Sequence, residues 1–575
     1  MKSPPDPYDP VPSFWQRRPD QVAAVAVFAL TVVLTVASFP PASSGAFAYA
    51  FAAPAIFWAY LRPPLKLYVW TMFAAQAVAW TIVLAWLRHV SWVALILLGP
   101  FVGAWIGTWF LAVRWTMPRM IGRTIPVRLA AMLGLAGLWV LIEWTRTWLL
   151  GGFPWLPLAA SQWTLVSILQ IAAFTGAGGI SFVLICVNVG FAAYLHRLLR
   201  EGPAAQRRRN RELFASGAAH EDLVEVRDWG LRRRSQEFFL ALFLLLVCLC
   251  VFLVQVQPMT AFRYKEPLGR VAFVQPDIPQ EAKWDPAKAP GIVQTLRDVT
   301  LAAGALRPDL ILWPEAALPE PLNFDRGMRL FVESLATRAG APLLVGAMAV
   351  ADAGTPAEKW HDAAFVVTPE SGLQPGYYAK RHLVPFGEYV PLHPIFDWLT
   401  KFVPIGGDIA PGTDATPLLV NLSQGAAAFG VLICYEDLFP QLARESVLSG
   451  ADVLVVVTND AWYGEEGAAS QHAAHSVLRA VETRRPVLRC GNAGWSGWID
   501  EFGGIRYAMT NGAGSVYFRG VSTVDVKRDA RWVGRNSFYV EHGDWFVPVS
   551  TALALLGYAA LKSSRARIEA DAVSP

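Results

Sequence analysis

Apolar runs dominate the first half of the chain and return once near its end. They cover about 21–38, 45–61, 67–87, 90–113, 127–145, 175–195 and 238–257, with an eighth at 545–561. A helix needs roughly 20 apolar residues, within a range of about 17–25, to cross the hydrocarbon of a bilayer. The second and eighth runs are at the short end, and the fifth carries Glu143 near its outer end. One short run reads equally well as a buried core helix. Seven in succession read as a membrane bundle, of about eight spanning helices once the last run is added. The first run follows a polar, Pro-rich stretch and shows no clear cleavage site, so it reads as a span and not as a removable leader.

Arginine and lysine mark alternate connections. Arg17 and Arg18 precede the first run, and Arg62 and Lys66 follow the second. Arg114, Arg119, Arg123 and Arg128 follow the fourth. Arg207, Arg208, Arg209, Arg232, Arg233 and Arg234 follow the sixth. The intervening connections hold little beyond Arg88 and Arg146. Basic connections stay in the cytoplasm. The N-terminus is therefore expected inside, the long polar stretch after the seventh run outside, and the tail with Lys562, Arg565 and Arg567 inside again. This divides the chain into a bundle at 1–262 with a basic cytoplasmic loop at 197–237, an extracytoplasmic domain at 263–543, and a last helix and tail at 544–575.

Within 263–543 the pattern changes. Short β-rich runs at 271–275, 310–313, 343–347, 429–433, 453–457 and 487–489 alternate with amphipathic stretches near 290–305, 326–339, 437–449 and 470–484. That alternation predicts a layered α/β domain. Composition agrees with a chain largely in lipid: 54% of residues are hydrophobic and 16% charged, against about 25% charged in soluble domains. The 24 Trp suit membrane interfaces. A net charge of +4, scattered over short connections, leaves no basic face for nucleic acid. Five cysteines without regular spacing form neither a disulfide framework nor a zinc site. Cys186, Cys248 and Cys250 fall in apolar runs, which leaves Cys434 and Cys490 in the polar part.

Three segments of that part carry candidate chemistry. In Leu310-Ile-Leu-Trp-Pro-Glu315, Pro314 ends an apolar strand and leaves a carboxylate at its carboxyl end, where open α/β sheets place ligands. The segment from Tyr377 to Pro391 mixes Lys380, Arg381 and Glu388 with apolar residues in neither helical nor strand period. Long ordered loops of that kind are often functional. In Phe429-Gly-Val-Leu-Ile-Cys434-Tyr-Glu-Asp437 a strand runs into a thiol and an acidic helix start. A thiol on such a turn meets helix N-terminal N–H groups that lower its pKa and hold an oxyanion. Singly, these residues read as a loop Glu, a surface Lys–Glu pair and a buried structural Cys. Together they supply a base, a cation and a nucleophile.

These three segments resemble the nitrilase, or carbon–nitrogen hydrolase, superfamily. With the apolar runs around them they resemble, within it, the apolipoprotein N-acyltransferase family. The Lys-Arg-His-Leu-Val-Pro-Phe-Gly-Glu-Tyr-Val-Pro stretch is the most specific. Gln275-Pro-Asp-Ile-Pro-Gln280 leading to Lys283-Trp284, Thr458-Asn-Asp-Ala-Trp-Tyr-Gly464 leading to Gln471-His472, and Gly152-Phe-Pro-Trp155 after Trp139, Glu143 and Arg146 agree with it. Trp495, Trp498 and Cys490 replace smaller residues usual there, and a proline usual between Gly464 and Gln471 is missing. The resemblance implies an α-β-β-α sandwich and a catalytic triad of Glu315, Lys380 and Cys434. It also implies supporting or substrate-binding roles for Glu388, Trp284, Tyr435 and Glu436, with no metal and no cofactor. The implied reaction moves a fatty acyl chain from a phospholipid, typically phosphatidylethanolamine, through a Cys434 thioester to the N-terminal amine of a diacylglyceryl apolipoprotein. The expected setting is a bacterial inner membrane, with a monomer working on its periplasmic side. A membrane-tethered amidase is the alternative on the same triad, and a transporter the alternative without it.

Overall fold

The computed structural model describes residues 19–42, 44–201, 235–283, 285–390 and 409–573, together with 210, 211 and 215. Arg17, Arg18, Trp284 and most of the basic 197–237 loop lie outside the described residues. Among the described residues six helices are long and apolar enough to cross a membrane: Pro19–Ser38, Trp92–Met120, Ile125–Thr145, Ala177–Leu199, Gln236–Val256 and Phe546–Ser563. Leu65–Val83 is a further unbroken helix of 19 residues, packed between Pro19–Ser38 and Trp92–Met120.

The second apolar run is not one helix. It forms a 3-10 turn at Gly45–Tyr49 and a short α-helix at Ala53–Tyr60. At the break, the Asn188 amide stands in the ladder: it accepts from the Ala52 N–H at 2.8 Å and donates to the Ala48 carbonyl at 2.8 Å. Those two groups would bond each other in a regular helix, and in lipid they must find partners. The broken segment still runs the depth of the bundle. Gln162 donates to the Gly45 carbonyl at one end, whereas Tyr60 stacks on His196 and Arg114 donates to the Pro63 carbonyl at the other.

Among the described residues thirteen strands follow in chain order: β1 (Lys265–Gln275), β2 (Leu310–Leu312), β3 (Leu343–Ala351), β4 (Lys359–Thr368), β5 (Gly372–Leu373), β6 (Tyr378–Ala379), β7 (Leu418–Leu422), β8 (Gly425–Ile433), β9 (Val453–Thr458), β10 (Val487–Gly491), β11 (Gly497–Ile499), β12 (Ile505–Ala508) and β13 (Gly520–Asp529). One sheet runs β13-β1-β2-β3-β4-β5, with β6 also on β4; the other runs β12-β11-β10-β9-β8-β7. The central strands β1-β2-β3 and β8-β9-β10 are parallel. Their residues alternate between two cores. Val271 and Phe273 of β1 meet Val453, Val455 and Val457 of β9 between the sheets. Ala272 and Val274 face the helices Ala289–Ala305 and Arg326–Ala339 on the outside. Helices Pro440–Leu448 and Ala468–Thr483 cover the other sheet. The result is an α-β-β-α sandwich.

Helix Ala468–Thr483 is buried at every residue except Ser470, because the second sheet covers one face and the membrane bundle the other. Gln471 ties the two together. Its Oε1 accepts from Trp86 Nε1 at 3.0 Å and Trp155 Nε1 at 2.8 Å, and its Nε2 donates to the Pro40 and Val83 carbonyls at 2.9 Å each. One amide thus uses its full hydrogen-bonding capacity on three membrane loops.

Candidate active site

The three sequence segments converge where β2 and β8 end. Glu315 follows β2 by way of Trp313 and Pro314, and Lys380 follows β6. The Lys380 backbone N–H donates to the Asp362 carbonyl of β4 at 2.8 Å. Cys434 closes β8 with φ +50°, a left-handed conformation rare for a side chain of its kind. The chain reverses there into a five-residue 3-10 turn, Cys434–Leu438.

Glu436 fixes that turn. Its carboxylate accepts from the Ile433 N–H at 2.7 Å, the Arg381 N–H at 2.6 Å, the His382 N–H at 3.1 Å and the Tyr378 hydroxyl at 2.8 Å. It therefore clamps the strand before Cys434 to the loop that carries Lys380. Tyr435 donates from its hydroxyl to the Gly152 carbonyl at 2.8 Å, and a His382 ring nitrogen lies 3.1 Å from the Gly151 carbonyl. The Gly152–Trp155 stretch is thus a brace between bundle and site. Glu143 and Arg146 hold that brace: Glu143 accepts from the Leu158 N–H at 2.6 Å, and Arg146 donates to the Trp155 carbonyl at 2.5 Å.

Lys380 is 1% exposed and stands among three carboxylates. Its Nζ lies 2.6 Å from Glu388, 3.3 Å from Glu315 and 3.6 Å from Asp362. Carboxylates this close form a donor set for a cation, and the ammonium is that cation. Burial alone lowers a lysine, but Glu388, Glu315 and Asp362 outweigh it and hold Lys380 well above its ordinary range. Glu315 is likewise opposed by burial, yet Lys380, the Asp362 carboxyl and Lys283 hold it below the usual carboxylate range. Lys283 is buried, donates to the Glu315 backbone carbonyl at 2.9 Å, and is lowered by that burial to about 8.

Cys434 departs from expectation. Burial and the neighbouring Glu315 charge push its thiol well above the ordinary value. The turn that follows is too short to act as a helix N-terminus, so the resting group is a neutral thiol beside the Glu315 carboxylate. Behind it lies a sealed network. His472 bridges Asp460 at 2.9 Å and Asp437 at 3.0 Å and approaches the Cys434 carbonyl at 3.1 Å, while Arg489 pairs with both aspartates.

Glu315, Lys380, Glu388, Cys434, Tyr435 and Glu436 thus share one site; Trp284 lies outside the described residues. Asp362 and Arg489 were not singled out from sequence, and Asp437, Asp460 and His472, which lie in the segments quoted above, were given no role. The one signal for Asp362 is a charged residue directly before the apolar stretch 363–367 of β4.

Two family models match the chain. Carbon-nitrogen hydrolase covers residues 270–540, and the apolipoprotein N-acyltransferase N-terminal domain covers 31–190. An apolipoprotein N-acyltransferase of Geobacter metallireducens is 32% identical over 418 residues, 71% of this chain and 70% of its own length. One from Methylococcus capsulatus is 31% identical over 420 residues, 72% of this chain and 69% of its own. A solved amidase of the nitrilase superfamily from Nesterenkonia AN1 is 17% identical, with a TM-score of 0.34 over 48% of this chain and 94% of its own.

Proposed function

The chain belongs to the apolipoprotein N-acyltransferase family, and we propose that it carries a fatty acyl chain on Cys434 from a membrane phospholipid to the N-terminal amine of a diacylglyceryl apolipoprotein. It is an acyltransferase with a lipid and a lipoprotein as substrates. In our reading the donor is phosphatidylethanolamine and the enzyme works as a monomer in a bacterial inner membrane, with its catalytic domain on the periplasmic side.

In the first half-reaction Glu315 takes the Sγ proton as the sulfur attacks the donor's ester carbonyl. Lys380, oriented by Glu388, and the backbone N–H of Tyr435 stabilise the oxyanion, each donor contributing about 3–4 kcal/mol in the transition state. The tetrahedral intermediate collapses to a thioester, and Glu315 returns its proton to the departing lysophospholipid oxygen. In the second half-reaction the acceptor amine attacks the thioester, Glu315 takes a proton from the nitrogen, and the proton returns to the leaving thiolate. An amide forms and the free thiol is restored.

The observation that carries this reading is the buried meeting of thiol, carboxylate and ammonium on a face braced by membrane loops. A phospholipid and a lipid-anchored amine both reach such a face from the bilayer. A tethered amidase would need one or two spans, and the described residues hold six helices that meet both length and apolarity. The test mixes the purified full-length protein with an acyl-labelled phospholipid and a diacylglyceryl peptide. Label is expected on the peptide amine; label released only as free fatty acid would make the protein a hydrolase.

A further inference from the structure

The site holds one carboxylate more than its lysines balance. Glu388 gives Oε1 to Lys380 at 2.6 Å and Oε2 to the Val384 N–H at 2.9 Å. Glu315 gives Oε1 to Lys380 at 3.3 Å, with Lys283 fixed on its backbone carbonyl. Asp362 is the farthest of the three from Lys380, at 3.6 Å, and is 3% exposed. Among the described residues its Oδ1 has no donor, and neither has Oε2 of Glu315. Yet one carboxylate oxygen from each of Glu315, Asp362 and Glu388 lies within 4.8 Å of the others. Two ionised carboxylates cannot bond; a carboxyl proton is the donor this pair lacks.

Charge gives the same answer. Fully ionised, Glu315, Glu388 and Asp362 against Lys380 and Lys283 leave one net negative charge in a buried pocket, which is costly. One proton removes it. Glu388 has the closest ion pair and Glu315 faces both lysines, so the proton falls to Asp362. Burial and the charges of Glu315 and Glu388 push Asp362 in that direction, and Lys380 and Lys283 oppose them. The groups facing this pair are Lys283 from the short helix Gln280–Lys283, Lys380 and Glu388 from the loop after β6, Cys434 from the end of β8, and Tyr463 from the 3-10 turn Asp460–Tyr463.

We infer that Asp362 works as a protonated carboxylic acid that donates to Glu315 and so positions the base of the acyl transfer. The inference rests on the reading of Glu315 as the base for Cys434. The resting pair then holds one proton, on Asp362. When Glu315 takes the thiol proton the pair holds two, and the second leaves with the lysophospholipid oxygen. Ionisation of Asp362 at high pH removes the donor and sets two like charges side by side.

The test compares full-length wild type with Asp362→Asn and Asp362→Ala. Asn keeps a donor at that position without a titrating proton. Thioester formation from phosphatidylethanolamine is expected within about threefold of wild type in Asp362→Asn. In Asp362→Ala it is expected about 10- to 100-fold slower, the size of a lost hydrogen bond to a charged group. The alkaline fall in rate is expected to move to higher pH in Asp362→Asn. An Asn variant as slow as Ala, or one with the wild-type pH profile, would overturn the inference. Infrared spectra without any acyl donor separate it from the reading it rests on. A protonated carboxyl stretch is expected in the wild-type protein at neutral pH and not in Asp362→Asn. Its absence from wild type overturns the role of Asp362, whereas a wild type that forms no thioester overturns the acyl-transfer reading instead.

Discussion

Cys434 does not sit as its sequence context suggests. A strand running into Cys-Tyr-Glu-Asp reads as a thiol at a helix start, with its pKa lowered. The chain instead makes a 3-10 turn, and burial with the Glu315 charge raises the thiol. In the proposed mechanism reactivity comes from Glu315, whose own value is held low by Lys380, Asp362 and Lys283 against the effect of burial. The sign follows directly: the base form survives mild acid, and thioester formation falls only as pH drops through that lowered value. Glu315→Gln removes the base, and its rate of thioester formation is expected to fall by at least about 100-fold. A rate within a few fold of wild type would remove Glu315 from the mechanism. Glu315 and Cys434 were legible because each follows an apolar strand, and Lys380 because it lies in a long mixed segment of neither helical nor strand period. Asp362 was not, since a lone Asp beside apolar strand residues shows neither its burial nor its neighbours.

Among the elements, helix Ala468–Thr483 joins the sandwich to the bundle. Its amphipathic stretch was visible, but a sequence cannot show that its polar face is buried too. Gln471, His472, His475, Arg479 and Glu482 each find a partner in a distant segment. Gln471→Leu leaves two indole N–H groups and two carbonyls without their partner. It is expected to cost about 2–4 kcal/mol, seen as a lower unfolding temperature in detergent; an unchanged temperature would mean the docking does not depend on this amide. His472 carries a pH signature. Burial and Arg489 act against its charge, but Asp437 and Asp460 outweigh them and raise it to about 9. A raised value stabilises the fold fully below the unfolded value near 6.5 and loses that contribution as pH rises through about 9. Wild-type stability is expected to fall across that window, and His472→Gln to be less stable with a flatter profile. The strands of the two parallel cores were legible as apolar runs. Edge strands such as β13, with Asp525, Lys527 and Arg528, were not, because one face meets solvent and their polar residues read as loop.

At the scale of the whole molecule, the bundle has two chemically distinct ends. One meets the catalytic domain through the Trp86, Trp155 and Ala177 contacts. The other gathers Arg114 on Pro63, Arg128 and Arg197 on Glu237, and Tyr60 on His196. The broken second run keeps this alternation because it still connects the two ends, with Asn188 mending its backbone. Basic connections face the cytoplasm, so a membrane-impermeant maleimide added to whole cells with a permeabilised outer membrane is expected to label Ala353→Cys and not Thr124→Cys. The reverse pattern would invert the assigned topology. The bundle's helices were legible by length and apolarity. The docking of the domain was not, because it rests on backbone carbonyls of loops that sequence does not mark.

The central claim is that Cys434 holds a fatty-acyl thioester between two lipid-bound substrates. Mass spectrometry of the full-length protein from its own membranes tests it most directly. The account expects a fatty-acyl mass on the peptide bearing Cys434, released by hydroxylamine and lost when a diacylglyceryl peptide is added. An unmodified Cys434 peptide after incubation with phospholipid alone, from protein that still acylates the diacylglyceryl peptide, would contradict it.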